Sequence, residues 1–166
     1  LPRGSCGRPA GPRSVIPGWG GGEYVFIHFC SGPRRSDDLS AAVERDCAMH
    51  GLPVVCLAID PVNDPTQDLL LEEFLHKLYD IVRARRAIGG HGGPPCATFS
   101  RSRHRRLPGG GGPRPLRARA HVWDPLEHLT KREKQTAVVG TVLALLVIGL
   151  LGEIASSGGT VSLEHP

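Results

Sequence analysis

The stretch that decides the fold is "EYVFIHFCSGPRRSDDLSAAVERDCAMHGLPVVCLAID", residues 23–60. It opens on EYVFIHFC (23–30), an apolar and aromatic run suited to a pleated, half-buried surface. Gly32 and Pro33 break that strand, and Ser36 or Asp37 is placed to cap a helix behind it. The helix, residues 37–51, sets Leu39, Ala42, Val43 and Cys47 at three-to-four spacing, and Gly51 stops it. LPVVCLAID (52–60) then runs apolar without alternation, as strands covered on both faces do. Strand, helix and strand at this spacing form a βαβ unit. Its crossover predicts parallel pairing and an α/β fold.

Outward from this unit, PVNDPTQD (61–68) is a loop. Residues 69–86 form an amphipathic helix with Leu71, Phe74, Leu75, Leu78, Ile81 and Val82 on one face. AIGG (87–90) reads as a short lead into GGHGGPPCATFS. Residues 101–119 hold seven arginines among glycines and prolines and have no period, so they read as a mobile basic loop. Residues 135–152 carry no charge, and this stretch of about 18 residues is a helix buried on a sheet or a marginal membrane span. After Gly158 and Gly159, TVSLEHP (160–166) reads as a strand ending in an acid.

The 22 glycines and 15 prolines make the chain loop-rich, while an apolar share of 40% still supplies one core. A net charge of +4 suits an anionic partner. Residues 1–22 are rich in Pro, Gly and Arg and read as a disordered lead-in; with the abrupt end after TVSLEHP, this suggests a fragment. The five cysteines include no CxxC pair, which favours reduced thiols in an intracellular setting over a disulfide framework. Cys30, Cys47 and Cys56 lie in apolar segments and read as core residues, and Cys6 as incidental. His91 and His165 lack partners at ligand spacing, so no metal site is expected.

Cys96 stands apart, behind two prolines and a glycine run. It is either an accidental turn residue or a thiol presented by a stiffened backbone. GGPPCATFS (92–100) closely resembles the catalytic loop of DNA cytosine-5 methyltransferases, G-P-P-C-Q-x-F-S. Other pieces follow in that family's order: FCSG ends the first strand, AID the second, QDLL resembles its later acidic turn, and LEHP its E-N-V or E-N-P strand end. The resemblance runs from about residue 24 to residue 166, with the cysteine loop its specific element.

The resemblance implies a Rossmann-like methyltransferase sheet, mainly parallel and incomplete at its C-terminal side. It implies S-adenosylmethionine as cofactor, held over the carboxyl ends of the strands by Phe29, Ser31, Gly32, Asp60, Asp68 and Pro94. Cys96 would be the nucleophile that adds to carbon 6 of cytosine, and Glu164 the acid at ring nitrogen 3. The target base would have to leave its duplex to reach a loop cysteine. Ser100, Arg101, Arg103, Arg105 and Arg106 would then contact DNA phosphates, which would make the protein nuclear in a eukaryotic cell.

Plainer readings stand beside these. Asp60 can simply cap its own turn, and the arginine run can be a solvated linker. Ala97 replaces the family's Gln and His165 its Asn, and Arg34 and Arg35 stand where the family keeps more glycine. Two arginines there would crowd the methionine end of the cofactor or take another anion. Two readings from other classes are a single-pass membrane protein spanning at 135–152, with KREK (131–134) marking the cytoplasmic side, and a non-catalytic nucleic-acid-binding fragment.

Overall fold

The structure, a computed structural model, describes residues 24–104, 109–110, 112–118 and 120–164. The lead-in (1–22), Arg105, Arg106 and His165 lie outside the described residues. The chain is α/β, built on a four-stranded, all-parallel sheet in the order β2-β1-β3-β4.

The βαβ unit forms as its residues predict. Strand β1 (Tyr24–Phe29) pairs in parallel with β2 (Val54–Ile59), joined through helix α1 (Leu39–Met49). Alternate β1 residues Val25, Ile27 and Phe29 are wholly buried in the core on one sheet face. The α1 cap is Asp38 rather than Ser36 or Asp37: its carboxylate accepts from the Ala41 and Arg35 amides, both at 2.8 Å. Leu39, expected inside, is 39% exposed. The inward first-turn position belongs instead to fully buried Ser40, whose hydroxyl meets His28 Nδ1 at 3.0 Å. A polar residue on the strand thus selects a polar residue on the helix above it.

Helix α2 (Glu72–Arg83) starts later than residue 69 because Asp68 bends the chain there, accepting from the Leu70 amide at 2.9 Å. Phe74, Leu78, Ile81 and Val82 go into the core, whereas Leu71 sits at the N-cap, 47% exposed. Residues 87–90 are not a connector. Ala87–Gly92 forms β3, a central strand between β1 and β4. Its glycines let a helix come close. A Cβ on Gly90 would stand 3.0 Å from Leu151 and 3.1 Å from Ile154, and one on Gly92 would overlap Val147.

That helix, α3 (Lys131–Ser156), opens with a capping box between Thr130 and Glu133 and lies on the α2 side of the sheet, over β3 and β4. It extends beyond the uncharged 135–152 stretch at both ends. By length and composition α3 could cross a membrane, but here 39% of its most apolar window is buried, with Ala144, Val147, Leu150 and Ile154 fully enclosed. Gly158, at φ +91°, turns the chain into β4 (Thr160–Leu163), which pairs with β3.

Candidate functional site at the carboxyl edge of the sheet

Because all four strands run the same way, their carboxyl ends open along one edge. At the end of β1 the backbone turns through two left-handed residues, Cys30 (φ 53°) and Gly32 (φ 66°). Cys30 pays conformational strain for this, a pattern that clusters at functional turns. The turn is stitched to the end of β2. Ser31 donates its amide to Ile59 O at 3.2 Å, and Gly32 donates its amide to Asp60 Oδ2 at 3.0 Å.

Asp60 also caps its own turn through Oδ1, which accepts from the Val62 amide at 2.9 Å. The plain reading of this residue is therefore present. Each carboxylate oxygen keeps acceptor capacity for a further donor. Two residues absent from the sequence reading hold this corner. Asn63 Nδ2 donates to Gly32 O at 2.9 Å and Ser31 Oγ at 3.2 Å, and buried Gln67 accepts from the Asp60 amide at 3.4 Å. Both lie in PVNDPTQD, which looks like any polar loop until β1 is folded against it. Asp68, spent on the Leu70 amide, stays close enough to raise the Cys30 pKa. Arg34 turns toward α1, 3.0 Å from Asp38 and 3.7 Å from Glu44.

The cysteine loop leaves β3 beside this corner. Gly93 donates to Phe29 O at 3.1 Å, Pro94 is buried, and Cys96 is exposed at the start of a tight turn, Cys96–Thr98. The Cys96 carbonyl accepts from the amides of Phe99 and Ser100, both at 2.9 Å. Phe29 contributes only its carbonyl to this edge, since its side chain is wholly in the core. Burial, with Asp60 and Asp68 nearby, pushes the Cys30 thiol up to about 12, and burial first, then Glu44, does the same for Cys56. Those two thiols stay protonated at neutral pH. Glu164 follows β4 and donates its amide to Gly92 O at 2.8 Å, so its chain segment meets the root of the cysteine loop.

Beneath the loop lies Arg117, 3% exposed and read from sequence as part of a mobile basic run. Its guanidinium donates to the carbonyls of Val122 and Trp123 at 2.9 Å, to Thr141 Oγ1 at 2.8 Å, to Thr98 Oγ1 at 3.2 Å and to Ala137 O. It also lies 3.9 Å from the centroid of the Phe99 ring. Burial lowers its pKa, and Asp124 pulls the other way. Arg103 donates to Ala97 O and, at 3.1 Å, to Arg114 O, while Arg114 pairs with Glu133. The expectation of a basic run without local structure therefore fails for Arg103, Arg114 and Arg117. Arg101 opens a second tight turn, Arg101–His104.

On the α1 face of the sheet, His28 and His91 are register partners with ring centroids 5.2 Å apart, and His91 Nδ1 lies 2.8 Å from Ser162 Oγ. Among the described residues no three His, Cys, Asp or Glu side chains converge as metal ligands. Comparison with protein-family models, with curated proteins and with solved structures finds no match to this chain.

Proposed function

We propose that the carboxyl edge is the cytosine-methylating site, whole or partial, of a methyltransferase-like domain. One observation carries this reading: the left-handed Cys30–Gly32 turn, Asp60, the Pro-Pro-Cys96 loop and Glu164 come from four strand ends and meet at one edge. Gly32 and Asp60 offer an open turn and spare carboxylate lone pairs to a nucleoside cofactor, while the Ser31 hydroxyl, which donates to Gly32 O at 3.1 Å, holds the turn in place. A Cβ at Gly32 would meet nothing within 4 Å, so there is room beside the turn. Bound there, S-adenosylmethionine would supply an electrophilic methyl group.

The Cys96 thiolate adds to carbon 6 of a flipped cytosine and makes carbon 5 nucleophilic, while Glu164, as the carboxylic acid, passes a proton to nitrogen 3 and so neutralises the negative charge that develops there. After the methyl group is taken up, carbon 5 gives its proton to water, nitrogen 3 returns its proton to the Glu164 carboxylate, and the re-formed double bond expels the Cys96 sulfur as thiolate. Pro94 and Pro95 reduce the freedom the thiol must lose at that moment.

The test is trapping on DNA carrying 5-fluorocytosine, whose carbon 5 has no proton to lose after methylation. With S-adenosylmethionine present, the expected result is a denaturant-resistant protein–DNA adduct that Cys96→Ser abolishes. An adduct that survives Cys96→Ser would overturn the nucleophile assignment. Calorimetric titration that shows no cofactor binding at high micromolar concentration would overturn the cofactor assignment.

A further inference from the structure

Helix α3 presents a second stripe, opposite the one buried on the sheet. Val138, Val142, Leu145 and Ile148 are between 39% and 53% exposed on its outward side. Residues three or four apart share a helix face, so these form one apolar band. The band is bounded by exposed Lys134 at one end, and by exposed Gly149, Gly152 and Glu153 at the other. Among the described residues neither Lys134 nor Glu153 has an ion-pair partner.

We propose that this face binds a second copy of the chain, with the two α3 helices packed antiparallel about a two-fold axis between Leu143 and Ala144. The order of residues along the stripe selects this occupant. Reversing the helix about that axis sets Lys134 opposite Glu153 of the other copy, so opposite charges meet at both ends. It sets Val142 against Leu145, and Val138 against the bare backbone of Gly149, where the missing side chain leaves a recess. Antiparallel helices also oppose their dipoles favourably. In an isologous dimer each of these contacts is made twice, which doubles the effect of any one of them. Apart from Ile148, whose counterpart is the half-buried Val139, the stripe is matched to its own reverse in size and in charge. A lipid surface would make no use of that register.

Sedimentation of the full chain under reducing conditions, up to about 100 µM, should show a concentration-dependent monomer–dimer equilibrium. Lys134→Glu and Glu153→Lys should each weaken it about tenfold, because each places like charges in contact twice. The double variant should restore it. Both substitutions suit the helix dipole, so the fold is kept. Leu145→Glu should leave a monomer with an unchanged circular dichroism spectrum. A wild-type chain that stays monomeric overturns the proposal, as does a double variant that fails to regain dimerisation. Partition into phosphatidylcholine vesicles without self-association would assign the face to a membrane instead.

Discussion

Two glycine-rich segments of similar composition do opposite things. AIGGHG (87–92) is a central strand, whereas the three described glycines of PGGGGP (108–113) all have positive φ, Gly112 at 126°, with Gly109 at 87° and Gly110 at 79° in left-handed turns. In β3 glycine is needed for what it leaves out, since any side chain at 92 would occupy the place of Val147. In the second segment it is needed for the backbone angle, and a Cβ at Gly109 or Gly110 would meet nothing within 4 Å. Glycine in a sequence signals a constraint without saying which kind.

Substitution separates the two kinds. Gly92→Ala should have the largest effect, roughly 3 kcal/mol lost in urea unfolding, because the new methyl overlaps Val147 and crowds Leu151 at 3.1 Å. Pairing it with Val147→Ala should recover part of that loss, as expected of neighbours that share one space. A full-cost Gly92→Ala in the Val147→Ala background would mean that the backbone, not packing, requires the glycine.

Next comes the anchor that follows the second glycine run. Arg117→Met keeps much of the aliphatic volume but takes its donor from the Val122 carbonyl and one donor each from Trp123 O and Ala137 O, which Thr141 Oγ1 still reaches. A loss of about 2 kcal/mol is expected, reduced where water reaches the freed groups. Hydrogen exchange should quicken first at Phe99 and Ser100, whose amides close the cysteine turn above the clamp. Unchanged exchange there would show that Arg117 holds the 112–125 segment without holding the Cys96 loop. A smaller loss, about 1 kcal/mol, is expected for Gly110→Ala, from backbone strain alone. Gly110→Asn should be milder, since asparagine tolerates the left-handed region. Equal costs for Gly110→Ala and Gly92→Ala would break the distinction between the two glycine runs.

What could be read in advance follows the same division. The strands β1 and β2 and helix α2 were legible because their apolar pattern reports burial directly; α1 was legible as an element but not in its facing, since its one buried residue is Ser40 and not Leu39. β3 was not legible, because its burial is supplied by α3, which starts 39 residues after β3 ends. The cysteine loop was legible because two prolines before a thiol are a local feature. Arg117 was not: its role depends on carbonyls from Val122, Trp123 and Ala137, and nothing in PRPLR distinguishes it from the other arginines. Asn63 was missed for the same reason, since it acts on the Ser31–Gly32 turn, 32 and 31 residues away in the chain; Gln67 acts on Asp60 within its own loop, and nothing in a polar loop marks which side chain turns inward.

The smallest effect is one of pH, and it divides the molecule along the same line. Burial, then the neighbouring His91, lowers the His28 pKa below its ordinary 6.5, with Asp38 and Asp60 opposing. The folded state thus binds the proton less well than the unfolded chain. The His28 contribution is complete above 6.5 and is lost as pH falls below it. Glu133, at the α3 cap beside Arg114, moves in another window. Hydrogen bonds from Arg114 and Thr130 hold it at about 2 against an ordinary 4.5, so its contribution is complete above 4.5 and is lost as pH falls toward 2. Unfolding free energy measured against pH should therefore fall in two windows, one step below 6.5 and a lower one between 4.5 and 2. His28→Gln, which can still bond Ser40, should remove the step below 6.5 and leave the lower one; Arg114→Gln should blunt the lower step and leave the upper. If His28→Gln leaves the upper step in place, the sheet side of the comparison titrates through some other group.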